Sequence, residues 1–271
     1  MKGALLGLLV LLAGCGTLEV PRTGIISPPS DVLARWQNFP VDQQPRPILL
    51  LGASLSECAE LAPTFQPSTQ SPGQATASWA DGTVRTYAAI SEADAIRAMR
   101  TVRQSCPLIT ALPVTAGRFG TISFHTDRGL SIMSAWLFTG GVAEGHPVGQ
   151  LAYPALPQTA FWGTDLAPAG PISDAIVSMS GRTVAYYFLG GPPEGPCAED
   201  YKAVVAESPQ AVAIAIQSNP GRPLAGPFAC ERWSDMRSVT VQLSTPLGGR
   251  VVIDAAGGVV EACSEAVRGC F

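Results

Sequence analysis

Positive charge and histidine are both scarce in this chain. Of its 271 residues, 17 are Lys or Arg, and only two are His. The basic residues are scattered and the formal net charge is −4, which argues against nucleic acid as a partner, because nucleic-acid-binding proteins cluster basic side chains on one surface. The two histidines, His125 and His146, leave few arrangements for acid–base catalysis.

Several motifs of enzymes and metal-binding proteins are missing as well. There is no C-x-x-C and no neighbouring His pair for zinc, no acidic run with EF-hand spacing, and no Gly-rich stretch with the lysine of a phosphate-binding loop. Residues 52–56 read GASLS, so they lack the second glycine of a G-x-S-x-G nucleophile elbow. The sequence therefore predicts no metal, no cofactor and no catalytic residue.

Charged residues make up only 14% of the chain, while 46% are hydrophobic. This balance argues against disorder. The 28 Gly and 24 Pro residues favour many short strands joined by turns over long helices. Beyond the N-terminus, no apolar run is long enough to cross a bilayer as a helix.

The first residues have the composition of an export signal. Lys2 is basic, and residues 4–12 form an apolar run about half as long as the roughly 20 residues that a membrane-spanning helix needs. The run ends in Leu12, Ala13, Gly14 and Cys15. This order of a large apolar residue, two small residues and cysteine resembles the lipobox of bacterial lipoprotein signal peptides.

The resemblance implies that residues 1–14 are removed as a signal peptide and that the Cys15 thiol carries a diacylglyceryl group with acyl chains such as palmitate. It places the protein on the outer face of the cell membrane, held by the N-terminal lipid. Two or more acyl chains are enough to anchor a protein, and an acidic chain with a pI near 5.2 cannot rely on basic residues for that purpose. The alternative is an ordinary secretory signal followed by a cysteine.

Six cysteines remain in the exported chain, and an even number in an oxidising compartment predicts disulfides. If each half keeps its own bonds, the first pair is Cys58–Cys106, and we favour Cys197–Cys230 with Cys263–Cys270 in the second half. A zinc site is the competing interpretation.

The predicted fold class is α+β, with an N-terminal sheet and one main helix followed by a mostly antiparallel β-sandwich. Residues 15–46 are predicted to be a lipidated tether with a short helix capped by Ser30, whose Val32, Trp36 and Phe39 dock on the body. Residues 47–165 form the α+β domain. It starts with a buried strand in PILLLG and has turns at Asp81-Gly82 and over 126–129, with a helix capped by Ser91. Residues 172–271 form the disulfide-stapled β-sandwich domain, with bends at 180–181, 208–209, 248–249 and 257–258.

The segments PRPILLLG, FHTDRGLSIMSAWLF and VTVQLSTPLGGRVVIDAAGG are similar to parts of uncharacterised secreted or lipid-anchored proteins of GC-rich Gram-positive bacteria. That resemblance implies location and fold but no chemistry.

Few residues qualify as functional candidates. Arg128, at the tip of a predicted hairpin, is either solvated or presented to an anionic ligand. Trp136 and Trp162 belong either to ligand-binding surfaces or to the core. His125 and Asp127 share a strand face and would need a serine to resemble a Ser-His-Asp triad, although a tight turn explains Asp127 equally well.

The predicted function is therefore a lipid-anchored cell-envelope protein with a binding or structural role, whose partner is an envelope protein or a small ligand. The alternatives are a cell-envelope hydrolase that uses His125 and Asp127, and a solute-binding lipoprotein, although the alternating βαβ pattern of the latter is missing.

Overall fold

The computed structural model describes residues 29–51, 61–101, 112–143, 146–147, 150–163, 173–195, 197–220 and 235–266. Strands dominate these residues, and most neighbouring strands run antiparallel. The fold is β-rich α+β, in agreement with the predicted class at this level.

The first half is built on one antiparallel sheet of six strands. They are β1 (Gln74–Trp79), β2 (Val84–Ala88), β3 (Leu112–Thr126), β4 (Gly129–Ala143), β5 (His146–Pro147) and β6 (Gln150–Pro154). The order is β2-β1-β4-β3, and both β5 and β6 also pair with β4. Buried and exposed residues alternate along β1, as expected for a strand with one face on a core.

Two tight turns in this sheet confirm the sequence prediction. Gly82 follows Asp81 between β1 and β2 and has a φ of +85°, a conformation that glycine adopts without steric cost. The register of β3 and β4 pairs Thr126 with Gly129, so only Asp127 and Arg128 lie between the two strands.

The main helix, α2 (Glu92–Thr101), packs on this sheet. Its predicted start is confirmed, because Ser91 Oγ accepts a hydrogen bond from the Asp94 backbone N–H at 3.1 Å. Ala95, Ile96 and Met99 form the buried face of the helix, also as predicted. Residues 102 and 103 of the predicted face lie outside the described residues.

The second half contains two smaller sheets. One has the order β12-β10-β9 and the other β11-β8-β7-β13. The strands are β7 (Ser173–Val177), β8 (Thr183–Gly190), β9 (Glu199–Glu207), β10 (Ala211–Pro220), β11 (Asp235–Gln242), β12 (Val251–Asp254) and β13 (Glu261–Ser264). Buried side chains from both sheets, including Val184, Tyr186, Ile214 and Val252, form one core. The predicted bends at Gly181, Gly248 and Gly257 all have positive φ.

Two pairings in the second half are parallel, a feature that the antiparallel prediction missed. β12 pairs with β10, and β13 pairs with β7. Both late strands therefore join the sheets beside strands that came much earlier in the chain. Turn signals cannot show such pairings, because they report only on neighbouring segments.

The N-terminal segment consists of α1 (Ser30–Leu33) and a 3₁₀ turn (Ala34–Trp36). The predicted docking is confirmed: Val32, Trp36 and Phe39 are buried, and they share a core with apolar residues of β10 and β12, namely Ala211, Ala213, Val251 and Ile253. The predicted cap is wrong, since the helix begins at Ser30 itself and Pro29 occupies the N-cap position without a side-chain hydrogen bond.

Residues 47–51 run between the two halves. Ile48 and Leu49 are buried as predicted, but the segment forms only isolated bridges, from Ile48 to Phe161 and from Leu50 to Thr126. Ile48 belongs to the core of the first sheet and Leu49 to the core that holds the N-terminal segment. A further 3₁₀ turn (Gln158–Ala160) follows β6.

Candidate ligand-binding cavity

A cavity of about 230 Å³ lies where the two halves meet. The first sheet contributes the β1–β2 and β3–β4 turns. The second half contributes the β7–β8 turn, the segment between β11 and β12, and strand β13. The lining residues include three arginines, two aspartates and an apolar group made up of Trp79, Leu130, Val177 and Leu247.

Thr126 organises the turn that brings Arg128 to this cavity. Its buried hydroxyl donates to the Gly129 carbonyl at 2.6 Å and accepts from the Arg128 backbone N–H at 3.2 Å. The same oxygen accepts from Trp79 Nε1 at 3.2 Å. One hydroxyl therefore holds both the turn and the Trp79 ring in place.

Gly129 completes the turn for two reasons. Its φ is +89°, which other L-residues rarely adopt. A Cβ at this position would also lie 2.9 Å from Cys263 Sγ on β13. The hairpin and the last strand are therefore packed too closely at this point for a side chain.

Arg128 is the distinctive group of the cavity. Its guanidinium carbon lies 4.3 Å from the centroid of the Trp79 ring, a cation–π contact. Its Nε and Nη2 atoms are buried, and neither has a hydrogen-bond partner among the described residues. Burial lowers the pKa of Arg128 to about 10, with the charge of Asp127 opposing this effect and that of Arg46 adding to it. Arg128 is thus still a cation at neutral pH.

The other two arginines that line the cavity have carboxylate partners. Arg46 Nη2 lies 2.6 Å from Asp127 Oδ2, and Arg46 Nε donates to the Gly249 carbonyl at 2.7 Å. Arg250 Nη1 lies 2.7 Å from Glu207 Oε2. Of the three, Arg128 alone lacks an acceptor within the part of the chain that the structure describes.

Asp127 links three parts of the molecule. Its Oδ2 binds Arg46, and its Oδ1 accepts from the Leu49 backbone N–H at 3.3 Å. Its carbonyl accepts from the Ala262 N–H on β13 at 3.3 Å. Both carboxylate oxygens are therefore engaged in structural contacts.

The His125–Asp127 pair of the hydrolase hypothesis does not form. His125 Nδ1 lies instead 2.6 Å from Glu261 Oε2 on β13, and its side chain is 64% exposed. Among the described serines, none donates to or accepts from the His125 ring. The described residues therefore do not assemble a Ser-His-Asp triad.

Glu261 gives this contact a pH dependence. Burial raises the pKa of its carboxyl above 4.5, an effect that the hydrogen bond with His125 partly offsets and the neighbouring Asp174 reinforces. The folded state thus binds this proton more tightly than the unfolded state. The resulting stabilisation is complete below the unfolded pKa and is lost as the pH rises through the folded pKa.

We therefore predict that Glu261→Gln weakens the loss of stability with rising pH, as measured by urea unfolding from about pH 4 to pH 8. Asp94→Asn is the control, because the pKa of Asp94 is shifted in the opposite direction. The hydrogen bond from Ser91 lowers the pKa of Asp94, so its stabilisation is present above the unfolded pKa and is lost as the pH falls. An unchanged pH profile for Glu261→Gln would contradict the assignment.

Two of the cysteines lie in the described part of the chain. Cys197 and Cys263 are both disulfide-bonded. The lipidation candidate and the other predicted disulfide residues lie outside the described residues: Cys15, Cys58, Cys106, Cys230 and Cys270. The proposed pairing remains a prediction.

The two predicted tryptophans do not line this cavity. Trp136 is 8% exposed in the core of the first sheet, where its Nε1 donates to the Ile90 carbonyl at 3.0 Å. Trp162 packs edge-on against Phe39, with ring centroids 5.6 Å apart. Trp79 lines the cavity instead, and it was not among the residues selected from the sequence. Trp79 stands just before the predicted Asp81-Gly82 turn, but only the structure shows that this turn faces the cavity.

No protein-family model, curated protein or solved structure matches this chain. Within the described residues, no helix has both the length and the apolar character needed to cross a bilayer. The same part of the chain contains no group of three or more His, Cys, Asp or Glu side chains arranged to hold a metal ion.

Proposed function

We propose that this protein is a lipid-anchored cell-envelope protein that binds a small anionic ligand in the cavity between its two halves. The observation that carries the ligand proposal is Arg128, a cationic residue of the cavity lining whose Nε and Nη2 are buried and have no acceptor among the described residues. A buried donor without a partner costs about 1–3 kcal/mol. An anion in the cavity would supply the missing acceptors and compensate the positive charge.

The size of the cavity supports a small ligand. Its volume of about 230 Å³ is below the roughly 300–1,000 Å³ of pockets that hold drug-sized ligands. Its apolar side chains offer a surface for the uncharged part of a ligand, and binding sites typically combine such a surface with a few polar groups.

The order Leu12-Ala13-Gly14-Cys15 supports the location at the outer face of the membrane. We also propose that residues 47–165 and 172–271 act as an α+β domain and a β-sandwich domain. The shared core of the two sheets in the second half supports the sandwich.

The anchor is tested by Cys15→Ala. Without the thiol no acyl chains are attached, so we expect the protein to move from the detergent phase to the aqueous phase in phase partitioning of native-host cells. Mass spectrometry of the wild type should show an acylated first residue at Cys15. Unchanged partitioning of the variant would refute the anchor and leave the ligand proposal standing.

The binding function is tested by ligand-observed NMR on the full chain in detergent, with a panel of small anions and a matched panel of neutral molecules. We expect binding from the anionic panel that is lost when Arg128 is replaced by Gln. The absence of binding by every anion would refute the ligand proposal and would favour a structural role.

A further inference from the structure

We infer that the group recognised in this cavity is a singly charged oxyanion with two equivalent oxygens, of the kind found in a carboxylate or a phosphodiester, held side-on by Nε and Nη2 of Arg128. The inference rests on the proposed anion-binding function and specifies its chemistry. Three observations carry it: which nitrogens are unpaired, the charge of the lining, and the apolar surface beside Arg128.

The unpaired nitrogens define a geometry. Nε and Nη2 of Arg128 are both buried and have no partner in the described ranges, and the Nε–H and one N–H of Nη2 lie along one edge of the planar guanidinium. That edge matches two oxygens of one oxyanion through two parallel charge-assisted hydrogen bonds. A monatomic anion would satisfy this pair less well, because it offers one acceptor position to two parallel donors.

The lining favours one negative charge over two. It contains three arginines, of which Arg46 and Arg250 already have carboxylate partners in Asp127 and Glu207. Among these three, Arg128 alone has no such ion pair within the described residues. A singly charged ligand matches this one cation, whereas the second charge of a phosphate monoester, which carries about −1.5 to −2 at pH 7, would face Asp81 and Asp127 in the lining.

The surface beside Arg128 is apolar. The Trp79 ring stacks on the guanidinium, and Leu130, Val177 and Leu247 line the same space. A short hydrocarbon chain attached to the oxyanion would remove this surface from water. The expected ligand is therefore a small amphipathic monoanion.

The test measures dissociation constants on the full chain in detergent by ligand-observed NMR, at constant ionic strength. Four probes separate the possibilities: butyrate, dimethyl phosphate, methyl phosphate and butyramide. We expect at least one of the two monoanions to bind at least tenfold more tightly than both the dianionic methyl phosphate and the neutral butyramide. The ratio of butyrate to dimethyl phosphate decides between a carboxylate and a phosphodiester.

The matched variants test the role of Arg128. Arg128→Lys retains the charge but removes the two-donor edge, so we expect at least a tenfold loss of monoanion binding. Arg97→Lys, at an exposed arginine on α2 away from the cavity, should bind as the wild type does. Unfolding midpoints of both variants verify that they are folded, and Arg128→Gln serves as a second variant if Arg128→Lys is not.

The outcomes are distinguishable. Tighter binding of methyl phosphate than of both monoanions, or wild-type affinity in a folded Arg128→Lys, overturns the two-oxygen inference and leaves the anion-binding proposal intact. Binding of butyramide as tight as that of butyrate overturns both. If none of the four probes binds while another anion of the panel does, the inference alone is refuted.

Discussion

Replacing Asp127 with asparagine is expected to lower the free energy of unfolding by about 3–5 kcal/mol, the cost of removing one partner of a buried ion pair. The side chains of Arg46 and Asp127 are only 6% and 1% exposed. In Asp127→Asn, the Arg46 guanidinium remains buried with a neutral partner. The Leu49 backbone N–H, which donates to Asp127 Oδ1, would compete with that guanidinium for the single side-chain oxygen of asparagine. Urea unfolding at neutral pH measures the loss.

The exposed ion pair on α2 supplies the control. Arg97 and Asp94 are 2.5 Å apart, but their side chains are 73% and 46% exposed, so Arg97→Gln should cost less than about 1 kcal/mol. A loss of similar size in both variants would show that burial does not distinguish the two pairs. It would also contradict the role of Asp127 as the link between residues 46–49 and β13.

Replacing Trp36 with alanine is expected to cost about 3–5 kcal/mol, as for other large buried aromatic residues. Trp36 is 1% exposed and packs edge-on against Phe39, with ring centroids 5.9 Å apart. It lies in the core that joins the N-terminal segment to β10 and β12. We therefore expect Trp36→Ala both to lower the midpoint of chemical unfolding and to open residues 29–46 to limited proteolysis.

Two further variants sharpen this prediction. Gln37→Ala changes an exposed neighbour in the same segment and should leave both readouts near the wild type. Trp36→Phe should cost less than Trp36→Ala, because it keeps an aromatic ring and removes the buried Nε1 donor, for which the described residues provide no acceptor. If proteolysis of residues 29–46 is the same in Trp36→Ala and Gln37→Ala, Trp36 does not hold the segment.

Asp127→Asn and Trp36→Ala both test how the N-terminal segment is attached to the rest of the protein. The Arg46 guanidinium lies 4.7 Å from the Phe39 ring centroid, so the N-terminal core and the Arg46–Asp127 pair are in direct contact. The pair in turn lies beside the cavity. A loss of packing at Trp36 is therefore expected to weaken ligand binding at Arg128 indirectly, as a structural effect that Arg128→Lys does not share.

Local patterns predicted many of the elements well. Hairpin turns were predicted from glycine next to Asp or Ser. The helix α2 was predicted from a serine cap and apolar residues at helical spacing. Val32, Trp36 and Phe39 were correctly assigned to a docking face because their spacing places them on one side of a helix. The cap at Ser30 was wrong because proline at the preceding position already occupies the N-cap.

The candidate site was predicted less completely. Arg128 was selected because a turn presents it, but its environment was not foreseen, since the stacking on Trp79 joins residues 49 positions apart in the chain. Arg46 and Asp127 are separated by 81 residues and Arg46 and Gly249 by 203. No local pattern marks such pairs. The tryptophans chosen from the sequence, Trp136 and Trp162, pack elsewhere because an aromatic residue in an apolar stretch carries no information about which surface it will meet.

By itself the sequence determined the β-rich class, the positions of the principal turns, the main helix and the apolar face of the N-terminal segment, and it predicted the lipid anchor. These features follow from periodicity and from the φ preferences of single residues, which act over a few positions. Only the tertiary structure decided that β12 and β13 pair in parallel with much earlier strands. It also decided that Arg46 pairs with Asp127 while Arg128 has no acceptor among the described residues. Those outcomes depend on which buried surfaces and charges meet when distant segments pack, and this is determined by the packing of the whole core.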